Sequence, residues 1–184
     1  MILTRGPLLA ALLAVTLAAS AAPLKTDTAK SAITANFKQM NVPVAATFRT
    51  FSAKLDYDPA RPAAASAAIE IDTASLDLGD PDMNKEVAKK DWFNSAQFPK
   101  ATFVSSEIKA AGAGKLNVTG KLTIKGKSAT VTFPATVRAE GGKQLFEGAL
   151  PIRRLAYNIG DGEWKDTSMV ADEVVIRFRV LAGQ

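Results

Sequence analysis

Beyond about residue 30 the chain alternates. Apolar residues recur at every second position, the spacing of strands that bury one face. In EVVIRFRVLA, residues 173–182, Val174, Ile176, Phe178 and Val180 fall on one side and Glu173, Arg177 and Arg179 on the other. Leu116, Val118, Leu122 and Ile124 alternate with Asn117, Thr119, Lys121 and Thr123, and Val131, Phe133, Ala135 and Val137 alternate with Thr130, Thr132, Thr136 and Arg138. Between these two runs, Lys125-Gly126-Lys127-Ser128 reads as a β-hairpin turn. Weaker alternation marks 33–37, 51–57, 67–71, 102–108 and 146–152, which brings the expected count to eight strands.

One segment follows another period. In GDPDMNKEVAKKDWF, residues 79–93, Asp80 is placed to cap a helix and Pro81 to occupy its first position. Met83 and Val87, then Ala88 and Trp92, are four apart, which gives one apolar face. Eight strands with short connections and a single helix predict an all-β fold, an eight-stranded antiparallel barrel with one short capping helix, because closure removes exposed sheet edges. Such a barrel is filled by side chains or holds one small ligand. Small residues at Ala35, Ala53, Ala67 and Ala135 would leave space along its axis.

The first residues change what is counted. Arg5, an uncharged apolar run over 7–17 and Ala19-Ser20-Ala21 form the three parts of a secretory signal peptide. The expected division is a leader over 1–21 and one domain over 22–184, periplasmic or secreted. The run is shorter than the roughly 20 residues of a membrane-spanning helix. Removing Arg5 lowers the net charge from +5 to +4. The charges are mild and scattered, which disfavours nucleic acid and leaves transient contact with an anionic membrane surface open. The sequence contains no cysteine and no histidine. Disulfides, Ser-His-Asp or Cys-His catalysis and the usual zinc sites are thereby excluded. The Asp56/Asp58, Asp80/Asp82 and Asp161/Glu163 pairs read as turn and capping residues, and Lys121, Lys125 and Lys127 as a solvated hairpin surface.

Four stretches together resemble the YceI family of exported, lipocalin-like barrels. They are Val44-Ala-Ala-Thr-Phe48-Arg-Thr-Phe51-Ser-Ala53; Asp91-Trp92-Phe93 with Phe98-Pro99 and Phe103; Gly120 to Gly126 through Val131-Thr-Phe-Pro134; and Arg154-Leu-Ala-Tyr157-Asn-Ile-Gly160 with Gly162-Glu-Trp164 and Asp172-Glu-Val174. The resemblance spans about residues 31–180. It implies a lipocalin-like barrel that binds polyisoprenoid or other long-chain amphiphiles, a carrier rather than an enzyme. Two departures stand out: Ala46 and Ala53 occupy positions where the family usually has glycine, and the helix lacks the histidine many relatives carry.

The chain has 13 aromatic residues, and Trp92, Phe93, Phe98 and Phe103 gather around one proline. If the helix closes the barrel, Trp92 and Phe93 face either core residues or the chain of a lipid; Phe98 and Phe103 are assigned to the core. Phe48 and Phe51, three apart, suit a helical turn, with one of them lining the interior. The candidate ligand-binding set is Phe37, Phe48, Phe51, Met83, Val87, Trp92, Phe93 and Tyr157. Asn41, Arg49, Arg154, Tyr157 and Asn158 are candidates for head-group contacts, although each reads first as a solvated surface or turn residue. No cofactor is expected beyond a bound isoprenoid lipid or quinone-like amphiphile, held in a tunnel on the order of 20–25 Å long. The partner expected is a long-chain lipid, with monomer and homodimer both open. The rival reading is a non-enzymatic interaction protein whose barrel is filled by its own side chains and whose surface engages a membrane or redox partner.

Overall fold

The structure, a computed structural model, describes residues 23–184, so the leader expected over 1–21 lies outside the described residues. In chain order the elements are β1 (Lys25–Thr26), β2 (Ala32–Gln39), β3 (Val42–Phe48), β4 (Phe51–Asp56), β5 (Ser66–Asp72), β6 (Leu76–Asp77), α1 (Pro81–Val87), β7 (Lys100–Ala110), β8 (Lys115–Ile124), β9 (Lys127–Glu140), β10 (Lys143–Arg153) and β11 (Glu173–Gly183). All pairings are antiparallel, and the sheet runs β4-β5-β7-β8-β9-β10-β11-β2-β3-β6, with β1 joined to β11.

The strand count differs from the expected eight. Two additional strands, β1 and β6, are only two residues long. The third, β3, hides its alternation: Val44, Ala46 and Phe48 turn toward the core while Pro43, Ala45 and Thr47 face outward, so a single polar residue marks the outer face. Phe48 and Phe51 therefore end one strand and begin the next instead of sharing a helical turn.

Short turns set the register. Lys125 and Gly126 join β8 to β9 with φ of +48° and +75°, the left-handed pair that matches the twist of a two-residue hairpin. Met40 and Asn41 do the same between β2 and β3, at φ of +47° and +66°. Lys125 is not part of a solvated cluster. Its Nζ donates to the carbonyls of Lys90 and Asn158 at 2.7 Å each, while Lys127 reaches the Asn158 side chain at 2.9 Å. Burial pushes the Lys125 ammonium below its ordinary value.

The hydrogen-bonded path ends at β4 and β6, and β1 bridges the seam between β4 and β11. It pairs with β11 at Lys25–Gly183 and Thr26–Ala182. On its other side, Leu24 donates its N–H to the Leu55 carbonyl at 2.7 Å, and Thr26 Oγ1 donates to the Ala53 carbonyl at 2.9 Å. Leu24 is buried with Leu55, Val180 and Ala182 beneath that bridge.

Across the barrel, Phe103, Phe133 and Phe178 form an edge-on series with centroids 5.5 and 5.8 Å apart. Two glycines make room for it. A Cβ at Gly120 would lie 2.5 Å from the Phe103 ring, and one at Gly148 would lie 2.4 Å from the Phe178 ring.

The Asp80 carboxylate accepts from the N–H groups of Asp82 and Met83, and Pro81 opens α1 as expected. The helix stops at Val87, earlier than the periodicity suggests, so Trp92 belongs to the turn that follows. Backbone carbonyls there are engaged elsewhere. Lys90 O accepts from Lys125, and Asp91 O accepts from the N–H groups of Gly160 and Asp161.

Candidate functional site

The inward faces of the strands enclose a cavity of about 190 Å³. Val174, Ile176, Phe178 and Val180 of β11 all line it, so it extends over six residue steps, roughly 20 Å. At one end lie Tyr57 and Phe146, edge to face at 5.4 Å. At the other lie Phe93, Arg154 and Ile159.

Behind that second end, under α1, is an outer chamber of about 120 Å³. Met83 and Val87 come from the helix, Phe37 and Gln39 from β2, Trp92 from the following turn, and Trp164 and Val170 from the 159–171 loop. Five residues belong to both walls: Ala35, Phe93, Arg154, Ile159 and Val174. Phe93, in edge contact with Phe48 at 6.2 Å, is the aromatic part of this partition.

Arg154 is the largest fully buried side chain, 2 % exposed. Its guanidinium donates to five backbone carbonyls: Nε to Ala171, Nη1 to Ile159 and Gly160, and Nη2 to Trp164 and Val170. Every N–H is used, so the residue fixes the 159–171 loop in place of meeting a head group. Burial holds its pKa below the usual arginine range, and the Asp172 carboxylate partly opposes that shift. The guanidinium carbon sits 5.7 Å from the centre of the Trp92 ring, which also meets Trp164 at 5.3 Å. Gly160, at φ +79°, fits under this arrangement because a Cβ there would lie 2.2 Å from Arg154 Nη1.

The expected site residues divide clearly. Phe48 lines the inner cavity, Phe93 both, and Phe37, Met83, Val87 and Trp92 the outer chamber. Phe51 lines neither; it is half-buried against the Ile33–Phe48 cluster. Tyr157 lines neither and is 4 % exposed within the core, where burial raises its phenol pKa. The remaining head-group candidates do not converge: Asn41 is exposed in the β2–β3 turn, Arg49 is exposed and paired with Asp77, and Asn158 takes the hairpin lysine. Phe103 belongs to the core and also lines the inner cavity, as do Ala35, Ala67 and Ala135, whereas Ala53 packs beneath the seam. Sequence reasoning missed Trp164, although its pairing with Trp92 as the chain's only tryptophans was a usable signal. It also missed the buried role of Arg154, for which composition and period carry no signal.

Comparison with known proteins fits this architecture. The YceI-like domain matches residues 24–182. The chain belongs to the YceI-like domain family. Among YceI-like relatives, a UPF0312 protein of Vibrio cholerae is 33% identical over 135 residues, covering 72% of this chain and 69% of that one. A UPF0312 protein of Vibrio vulnificus is 36% identical with the same coverage. The crystal structure of Burkholderia cenocepacia BcnA superposes with a TM-score of 0.84 at 57% identity, covering 86% of this chain and 99% of BcnA. A polyisoprenoid binding domain from Saccharophagus degradans shares the fold, with a TM-score of 0.68 at 16% identity and coverage of 88% and 97%.

Proposed function

We propose that the protein is a periplasmic binding or carrier protein that sequesters a polyisoprenoid or other long-chain amphiphile inside the barrel. The observation that carries this reading is the apolar cavity of about 190 Å³ lined by the inward faces of the strands. Its wall is apolar apart from Arg154, Ser66, Thr102 and Asp56; the guanidinium has every donor occupied, and the one buried side-chain oxygen left unpaired among the described residues is Asp56 Oδ1. A hydrocarbon chain entering such a space leaves water, at about 0.8 kcal/mol per methylene. The two chambers together reach the lower end of ligand-pocket volumes, roughly 300 Å³. A chain long enough to occupy both passes the partition at Phe93. The family membership and the fold shared with the Saccharophagus degradans polyisoprenoid binding domain support the same ligand class. The leader expected at residues 1–21 supports the compartment.

Native mass spectrometry of protein purified from its exporting host without detergent tests this. A stoichiometric lipid adduct supports the carrier. Repeated adduct-free protein that also fails to take up long-chain probes supports the rival, a barrel that acts through its surface.

A further inference from the structure

Trp92 stands in the wall of the outer chamber, and its indole Nε1–H is buried without a hydrogen-bond partner. A buried donor left unpaired is a standing destabilisation that an arriving acceptor would relieve. The neighbouring groups do not supply one. Trp164 presents a tilted ring at 5.3 Å, and Arg154 lies over the face of Trp92 as a second donor. Arg154 already engages the carbonyls of Ile159, Gly160, Trp164, Val170 and Ala171. Gln39 and Glu86, the side-chain acceptors on the same wall, do not bond it, and Glu86 is paired with Lys89.

We propose that the outer chamber is a head-group subsite, in which Trp92 Nε1–H donates to a neutral oxygen acceptor on the amphiphile while its chain passes Phe93 into the inner cavity. The buried guanidinium of Arg154 in the shared wall disfavours an ammonium head and the Glu86 carboxylate on the same wall disfavours an anionic one, which leaves a neutral oxygen acceptor. The ligand class is therefore a long-chain compound with a carbonyl, ether or hydroxyl oxygen at one end. This rests on the lipid-holding reading and adds the chemistry of the head.

The test compares tetradecan-2-one with 2-methyltetradec-1-ene, the same shape without the acceptor, on the ¹³C,¹⁵N-labelled protein. Trp92 and Trp164 are the only tryptophans, so two indole N–H signals report the result. The ketone is expected to move the Trp92 signal downfield, and the alkene is not. In Trp92→Phe the preference for ketone over alkene should fall about tenfold, the loss of one hydrogen bond to a buried donor. If both probes bind, shifting the methyl signals of Ala35 and Ala135 while the Trp92 N–H responds identically to each, the head-group subsite is wrong and the carrier reading stands. If neither probe binds, both are wrong. The wild-type signals decide the matter even if Trp92→Phe does not fold.

Discussion

Arg154 and Trp92 meet as guanidinium over indole, 5.7 Å from carbon to ring centre, and through this contact the 159–171 loop is tied to the turn that follows α1 in the wall of the outer chamber. Five carbonyls from 159–171 converge on one cation, and the aromatic face beneath it carries the unpaired N–H. Stability and the candidate site are thus linked at a single side chain.

Arg154→Met should lower the unfolding free energy by about 3–5 kcal/mol, because carbonyls buried against the guanidinium lose their donor. Arg154→Lys should recover only part, since an ammonium has three N–H groups and no planar fork. Arg153→Met, next in sequence but with a side chain 76% exposed and paired only at the surface with Asp172, should change stability by less than about 1 kcal/mol. Urea unfolding of the three variants checks the contrast.

Gly120→Ala should cost roughly 1–3 kcal/mol through overpacking. The added methyl would lie 2.5 Å from both the Phe103 ring and the Val104 carbonyl, and the backbone contact leaves no easy relief. Any displacement of the ring goes toward the inner cavity, so long-chain probes should also bind more weakly. Denaturant midpoints and probe titration measure the two effects.

The β1 bridge predicts a local response. Leu24→Ala should destabilise by about 2 kcal/mol or more, the range for emptying a buried leucine site. Amide exchange should accelerate at the ends of β4 and β11 that β1 joins, and stay unchanged in the β8–β9 ladder. Uniform exchange across all strands would show that β1 does not hold the seam.

Asp77 carries the clearest acid response. Hydrogen bonds from the Asn84 side chain first, then from Arg49 and the Gly79 N–H, lower its carboxyl from the ordinary 3.8 to about 2. Its folded value is depressed, so the stability it contributes is present above about pH 4 and is lost as pH falls toward about 2. Asp77→Asn should therefore be less stable at neutral pH and lose less between pH 4 and 2. Thermal unfolding at several pH values in that window measures the difference.

The legible parts of the sequence were those in which one physical rule acted alone. The β8–β9 hairpin could be read because alternation flanked Lys125-Gly126, and the start of α1 because Asp80 and Pro81 carry capping chemistry. Strand β3 was obscured because Pro43 and Ala45 leave Thr47 as the single polar residue of its outer face. The end of α1 was misplaced because the chain after Val87 coils back on itself in non-helical turns, with the N–H groups of Phe93, Ser95 and Asn94 donating to the carbonyls of Val87, Ala88 and Lys89, a pattern that spacing alone does not reveal. At the site, spacing, aromatic content and the family resemblance pointed to Met83, Val87, Trp92 and Phe93, which line the outer chamber. Tyr157 and Phe51 were assigned to the site from the same kinds of signal and instead pack in the core. Arg154 was out of reach, since only the folded loop shows that five carbonyls meet there.

The central claim is that the barrel's interior receives a hydrocarbon chain, and calorimetric titration with methyl ketones of increasing length tests it most directly. Each added methylene should strengthen binding by up to about 0.8 kcal/mol, with a negative heat-capacity change, until the chain fills the inner cavity and the gain levels off. Affinity that does not depend on chain length, or no binding across the whole series, would contradict the account.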